Sequence, residues 1–274
     1  MTIKSFGLSD IGLNRPNNED VWTAIPEIGF FALADGMGGH KAGEVAAHEA
    51  IETLTNSIRK NKREDPLEII IELRTAIEKA NQWVYRLGKN IEELNGMGTT
   101  LCCLIYSEKA IVYAHIGDSR VYRLRDKRLE LLTEDHSLFA KWQKTGKTSK
   151  TPFPYKNVIT RAIGMTPIAN PEIAISAHIP GDLFFLCTDG LTDVLSLKDI
   201  EKIINNSNDL ETATKQLIHA AKNKRSSDNI TILMIQIDGQ SEENLSRQQC
   251  NDSPRQESFR RDASRTEGDT RKSI

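Results

Sequence analysis

Four aspartates of this chain stand at the edges of strongly apolar, β-like runs, and few folds accommodate that. The runs are Gly29–Ala34 before Asp35, Ile111–Gly117 before Asp118, Leu183–Thr188 before Asp189, and Ile230–Ile237 after Asp228. Strand ends deliver side chains to one rim of a sheet or sandwich with little freedom. Carboxylates gathered on one rim repel each other unless something cationic lies between them. Hard divalent cations such as Mg²⁺ and Mn²⁺ take oxygen ligands of this kind. The pattern therefore asks for a β scaffold that carries a multi-metal hydrolytic site.

Hydrophobic period sets the order of elements. Short strands are expected at Ile3–Ser9, Val21–Ile25 and Gly29–Ala34, the last two forming a hairpin across Pro26. Helical spacing of Ala47, Ile51, Leu54 and Ile58 predicts a helix over Ala42–Arg59. A second helix is expected over Pro66–Leu87, started by Pro66 and stopped by Gly88. Its apolar stripe, Ile69 to Leu87, needs a neighbouring surface to bury it.

From Met97 the period returns to strands, at Thr99–Tyr106, Ala110–Ile116, Ser119–Arg125 and Leu129–Leu132. Turns at Ser107–Lys109 and Asp126–Lys127 read as a meander. A short helix at Leu138–Lys144 precedes a polar loop or flap at Gly146–Asn157. Strands follow at Glu172–Ala177 and Leu183–Thr188, then helices at Leu197–Asn205 and Leu210–Lys222, then a strand at Ile230–Ile237. This order is not an alternating βαβ pattern; it is that of an α+β fold in which helices cover two antiparallel sheets.

With 274 residues, 38% apolar, the chain can bury a sizeable core. From Gly239 the composition changes: the last 36 residues mix seven acids with seven bases and hold almost no large apolar side chain. The expected organisation is a folded domain at 1–238 and a disordered polar tail at 239–274. A net charge of −2 argues neither for nucleic acid nor for an anionic membrane. No apolar run reaches the about 18 residues of a membrane span, and no signal-peptide core is present, so the expected location is cytoplasmic. Cys102, Cys103 and Cys187 lie in apolar runs without metal-ligand spacing, as buried thiols of a reducing compartment do.

Eight short motifs occur in one order: Ser9-Asp10-x-Gly12-x-x-Arg15-x-x-Asn18-Glu19-Asp20, Ala34-Asp35-Gly36-Met37-Gly38-Gly39-His40-x-x-Gly43-Glu44, Met97-Gly98-Thr99-Thr100, Gly117-Asp118-Ser119-Arg120, Leu132-Thr133-Glu134-Asp135-His136-Ser137, Asn157-Val158-Ile159-Thr160-Arg161, Thr188-Asp189-Gly190-Leu191-Thr192-Asp193 and Ser227-Asp228-Asn229-Ile230-Thr231. Each alone is weak; together they resemble the bacterial form of the protein phosphatase 2C-type, metal-dependent Ser/Thr phosphatases, over about residues 5–237. The resemblance implies a four-layer α-β-β-α sandwich, two antiparallel sheets flanked by helices.

It also implies roles. Asp35 would bridge two Mn²⁺ or Mg²⁺ ions, the Gly36 carbonyl would serve one of them, and Asp189 and Asp228 would complete the other. Glu19 and Asp20 would act through water, because such ions retain several waters. A shared water of lowered pKa would then attack phosphorus. Arg15 resembles the phosphate-binding arginine, whose planar fork matches two phosphate oxygens. Asp118 and Asp193 resemble the holders of a third, weaker ion, with turn roles as the alternative; Arg120 could simply pair with nearby acids.

Eukaryotic members carry a His where this chain has Met37, so the general acid is either His40 or a metal-bound water. His115 and His136 read as structural. Phe139–Asn157 corresponds to the flap, here with Lys141, Lys144, Lys147, Lys150 and Lys156 and no acid. The implied partners are phosphoprotein substrates and an opposing Ser/Thr kinase, with no nucleic acid or membrane, for a monomer. Rival readings are a catalytically silent phosphoprotein-binding relative, which should have lost metal ligands, and an unrelated metal-dependent phosphodiesterase or nuclease, which should bring a basic groove or His-rich ligands.

Overall fold

Runs such as Phe30–Ala34 and Leu183–Cys187 are apolar at every position, which suits strands covered on both faces. The structure, a computed structural model, describes residues 2–38, 42–58, 64–146 and 153–239. The strands are β1 (Thr2–Asp10), β2 (Asp20–Ile25), β3 (Phe30–Met37), β4 (Gly98–Thr99), β5 (Leu101–Tyr106), β6 (Ile111–Ile116), β7 (Arg120–Arg125), β8 (Arg128–Leu131), β9 (Glu172–Ser176), β10 (Leu183–Cys187) and β11 (Ile230–Asp238). The helices are α1 (Ala42–Ile58), α2 (Pro66–Asn90), α3 (Leu138–Lys144), α4 (Asp189–Thr192), α5 (Leu197–Asn205) and α6 (Leu210–Asn223).

Two antiparallel sheets result. One runs β1-β11-β10-β7-β8; the other runs β2-β3-β5-β6-β9, with β4 paired to β3. Phe31, Leu33, Cys102, Leu104, Val121, Phe184, Leu186, Leu233 and Ile235 pack between the sheets. The alternate residues turn outward. Phe30, Ala32 and Cys103 meet α1 and α2 residues such as Leu54 and Ile77, while Phe185, Cys187 and Met234 meet Ile200 and Leu217 of α5 and α6. The layers are thus helix, sheet, sheet, helix, as expected. Phe30, Phe31, Phe184 and Phe185 are fully buried, and each contributes about 2 kcal/mol of apolar transfer. Cys102, Cys103 and Cys187 are buried and free.

The expected meander is corrected. β5 and β6 pair in one sheet and β7 and β8 in the other, so the chain changes sheets between Ile116 and Arg120. Gly117 makes that step with φ +104°, and a Cβ there would lie 2.7 Å from Thr100. Element ends differ as well, and one element is new. β3 continues through Asp35 and Gly36 to Met37, because β4 extends its ladder. α2 does not stop at Gly88 but runs to Asn90, and the Ile91 N–H closes the last turn on Leu87 O. Gly88 instead admits the following turn, where a Cβ would lie 3.2 Å from Leu94 O. Asp189 opens the short helix α4, which the apolar pattern did not show.

The tail at 239–274 lies outside the described residues except for Gly239, as do His40, Lys147 and Lys150. Among the described residues no helix is long and apolar enough to cross a membrane.

Gly36 is a tight crossing next to the strand ends that matter below. A Cβ on it would lie 2.1 Å from the Gly43 carbonyl oxygen and 2.8 Å from that of Glu19, all rigid backbone. Gly36→Ala should therefore lower the unfolding free energy by about 3 kcal/mol or more in urea titration, the upper range of overpacking; an unchanged midpoint would show that this crossing yields.

Candidate metal centre

The inward phase of the sandwich does not end with its apolar layer. Carried one step further toward one end, it becomes Ser9, Asp20, Asp35, Thr100, Ser119, Thr188 and Thr231. These polar residues interlock. Asp20 Oδ2 accepts from the Thr231 hydroxyl at 2.7 Å and the Thr188 hydroxyl at 3.0 Å. Thr231 Oγ1 lies 2.6 Å from Ser9 Oγ, and Thr188 Oγ1 accepts from the Thr231 N–H. On the other sheet Thr100 Oγ1 accepts from the Asp35 N–H at 3.0 Å and lies 2.7 Å from Ser119 Oγ.

Above this layer opens a cleft of about 270 Å³. Arg15, Glu19, Asp35, Gly36, Asp118, Asp189 and Asp228 all line it, with Met37, Asn157 and Ile159. Asp35 arrives on β3 and Asp189 at the start of α4. Asp118 sits on the sheet-switching turn, and Asp228 on the turn before β11. Both sheets therefore supply acids to one opening. Asp20 faces Asp35 across the β2–β3 ladder and does not line the cleft. Asp193 stands at the rim, where Lys156 Nζ donates to its Oδ1 at 2.9 Å and Asn157 Nδ2 to its Oδ2 at 3.3 Å.

The loop between β1 and β2 carries Arg15 and Glu19, and a residue passed over in the sequence holds it. Buried Asn229 accepts from the Glu19 N–H at 2.9 Å and donates to the carbonyls of Ile11 and Asn17. Arg15 Nη2 donates to Asp228 Oδ2 at 2.6 Å, which keeps the guanidinium over the cleft. Arg120 is a scaffold residue: it donates twice to Asp135, at 2.8 and 2.6 Å.

The electrostatics demand a cation. Burial, then the charges of Asp20, Asp189, Asp228 and Asp118, push the Asp35 carboxyl well above the usual range. Burial, then Asp118, Asp228, Asp193 and Asp20, do the same to Asp189. Burial, then Asp135, pushes Asp118 up to about 6. Burial also drives Asp20 up to about 7, against the hydroxyls that it accepts from. Asp20 Oδ1 and Asp189 Oδ1 are buried with no hydrogen-bond partner. A set of carboxylate oxygens with orphaned buried atoms fits hard divalent ions and would hold Mn²⁺ or Mg²⁺.

A second group, His115, His136 and Glu172, places its ligand atoms within 4.8 Å of one another. It already contains a cation: Arg161 Nη1 lies 3.0 Å from both His136 Nε2 and Glu172 Oε1. The two imidazoles stack at 4.4 Å. Burial, then His115, takes His136 down to about 4, and burial lowers His115. Both serve structure, His136 by accepting from the Gly117 N–H and His115 by bonding to Glu134 O.

These shifts carry a sign. A carboxyl with a raised folded-state pKa keeps a proton that the unfolded chain has released. Metal-free protein should therefore lose stability as pH rises from about 4 through the values of about 6 and about 7 at Asp118 and Asp20. Mn²⁺ should raise the melting temperature more at pH 8 than at pH 5. An equal Mn²⁺ increment at both pH values in a thermal melt would contradict this account of the cleft.

With the geometry in place, known proteins supply an independent comparison. The family model described as protein phosphatase 2C matches residues 14–233. A serine/threonine phosphatase of Listeria monocytogenes is 33% identical over 237 residues, 84% of this chain and 94% of that protein. The protein phosphatase PhpP of Streptococcus pneumoniae is 34% identical over 236 residues, 84% of this chain and 96% of that protein. The serine/threonine phosphatase structure from S. agalactiae superposes with a TM-score of 0.81 at 31% identity, covering 86% of this chain and all of that one. The catalytic domain of the phosphatase PstP, in complex with two manganese ions, gives 0.77 at 31% identity, covering 86% of this chain and 99% of that one. The chain belongs to the protein phosphatase 2C family and is a phosphoprotein phosphatase.

Proposed function

We propose that this chain hydrolyses phosphoserine and phosphothreonine in proteins, with Mn²⁺ or Mg²⁺, and opposes a Ser/Thr kinase. The observation that carries the reading is the convergence of Arg15, Glu19, Asp35, Asp118, Asp189 and Asp228 on one cleft between the sheet ends. Asp35 and the Gly36 carbonyl would hold one ion and Asp35, Asp189 and Asp228 the other, with Glu19 and Asp20 as outer partners. Bound there, two ions would lower the pKa of a shared water and neutralise the charge that builds on phosphorus.

This chain's own residues supply the rest. Arg15 leans over the cleft on its bond to Asp228 and offers the remaining guanidinium N–H groups to phosphate oxygens. Asn229 fixes the loop that presents Arg15. The Asp20 carboxylate, held by two threonine hydroxyls, sets the floor behind Asp35. Asp118 and Asp193 would take a third ion more weakly, because Asp193 already receives Lys156 and Asn157. Residues 1–238 would form the catalytic domain. The buried free thiols agree with action in the reducing cytoplasm.

Mn²⁺-dependent phosphate release from a phosphothreonine peptide tests the reading. Asp35→Asn and Asp189→Asn should each cut kcat/KM by at least about 100-fold, the upper end of what losing even an outer metal partner costs. Arg15→Ala should cut it about 10- to 100-fold, as expected for lost charge-assisted bonds. No turnover by folded, metal-loaded wild type would leave a phosphoprotein-binding module instead. Lys156→Ala should tighten the weakest Mn²⁺ seen by calorimetry by up to about 5-fold, the worth of a part-exposed ion pair; unchanged affinity would remove Asp193 from the third site.

A further inference from the structure

A second cavity, of about 440 Å³, adjoins the cleft and shares Met37 and Ile159 with it. Its walls are mainly apolar, with Ile116, Ala162, Met165 and Ile168 joining those two. Such a volume falls in the range of small-ligand pockets. Its outer wall stands in water: Met165 is 50% and Ile168 73% exposed. Apolar side chains this exposed beside a concave surface mark a place where something apolar docks.

Charge narrows the occupant. Arg161 lines the cavity, but its Nη1 is committed to Glu172 and lies against His136. Of the flap lysines, Lys144 pairs with Glu134 and Lys156 with Asp193. Among the described residues the cation that lines the cavity is Arg161, already paired with Glu172, so the cavity offers an incoming side chain mainly apolar surface.

Position narrows it further. Met37 lies two residues beyond Asp35 on β3, a rise of about 7 Å along a strand. In an extended peptide, side chains two positions apart point the same way with that spacing. We propose that this cavity receives a large apolar side chain (Leu, Met or Phe) two positions from the phosphorylated residue of the substrate, and that Met165 and Ile168 set this preference. The proposal rests on the phosphatase reading above. Met37 suits a shared wall because methionine adapts its shape to what it packs against.

The test uses phosphothreonine peptides with Leu, Phe, Ser or Glu at the position two before or two after the phosphorylated residue, and p-nitrophenyl phosphate, which has no flanking residue. Binding of the same peptides in hydrolysis-resistant thiophosphoryl form is read by fluorescence anisotropy. Wild type should favour Leu or Phe over Ser at one of the two positions by about 10-fold in kcat/KM, the low end of what an apolar pocket gives, mostly through KM. Ile168→Glu and Met165→Glu should reduce that preference below about 2-fold, Ile168→Leu should retain it, and all three should leave p-nitrophenyl phosphate hydrolysis unchanged. Equal turnover of all the peptides by wild type would overturn the pocket and leave the phosphatase standing, as would a preference that survives both Glu variants. Apolar preference in anisotropy without any turnover would support the pocket and sink the phosphatase reading.

Discussion

Like charge confined at the end of a dry sandwich is the constraint on which the rest of this structure depends. Asp35, Asp118 and Asp189 are each pushed toward the protonated state by burial and then by neighbouring carboxylates. Nothing in the described protein cancels that repulsion fully: Arg15 hydrogen-bonds Asp228 at the cleft edge, and Arg120 is spent on Asp135. The shortfall is what divalent ions bound there would make good. Stability and cation affinity are in this sense one quantity seen from two sides.

A second requirement follows: dry core and wet cleft must join without stranding polar groups. Hydroxyls do this here. Thr188, Thr231, Thr100 and Ser119 each keep the inward phase of their strand while bonding to an aspartate or to each other. A hydroxyl packs like a methyl-sized group and still donates, so the layer can be both tight and polar. Asn229 plays the matching part for the β1–β2 loop, satisfying three backbone groups with one amide.

What could be read beforehand divides along physical lines. The strand and helix periods and the clustering acids were legible because burial on both faces and strand-end carboxylates leave plain marks in a sequence, whereas the four layers came with the family resemblance. The sheet switch at Gly117 was not, because a tight turn with apolar neighbours looks the same whether its strands pair or part. Thr188 and Thr231 lay inside quoted motifs yet carried no signal, since threonine is an ordinary strand residue until its partner across the sandwich is known. Only the strand phase, counted inward from Leu186 and Leu233, could have marked them. Asp20 and Asp193 shared motifs with cleft residues, but one faces Asp35 from behind and the other is taken by Lys156.

The pairing of β1 with β11 joins Thr2 to Asp238 and Asp10 to Ile230. β1 therefore waits for β11 before its ladder can close, and Arg15 waits with it for Asp228 and Asn229. Contacts of such sequence separation are slow to form, because the loop entropy is spent before any contact repays it. Arg15 and Asp228 are 213 positions apart, so the cleft closes only after segments that distant have met. The cleft is thus a product of the finished topology: no short stretch of the chain holds it, and its arginine and its acids meet only once β1 and β11 are joined.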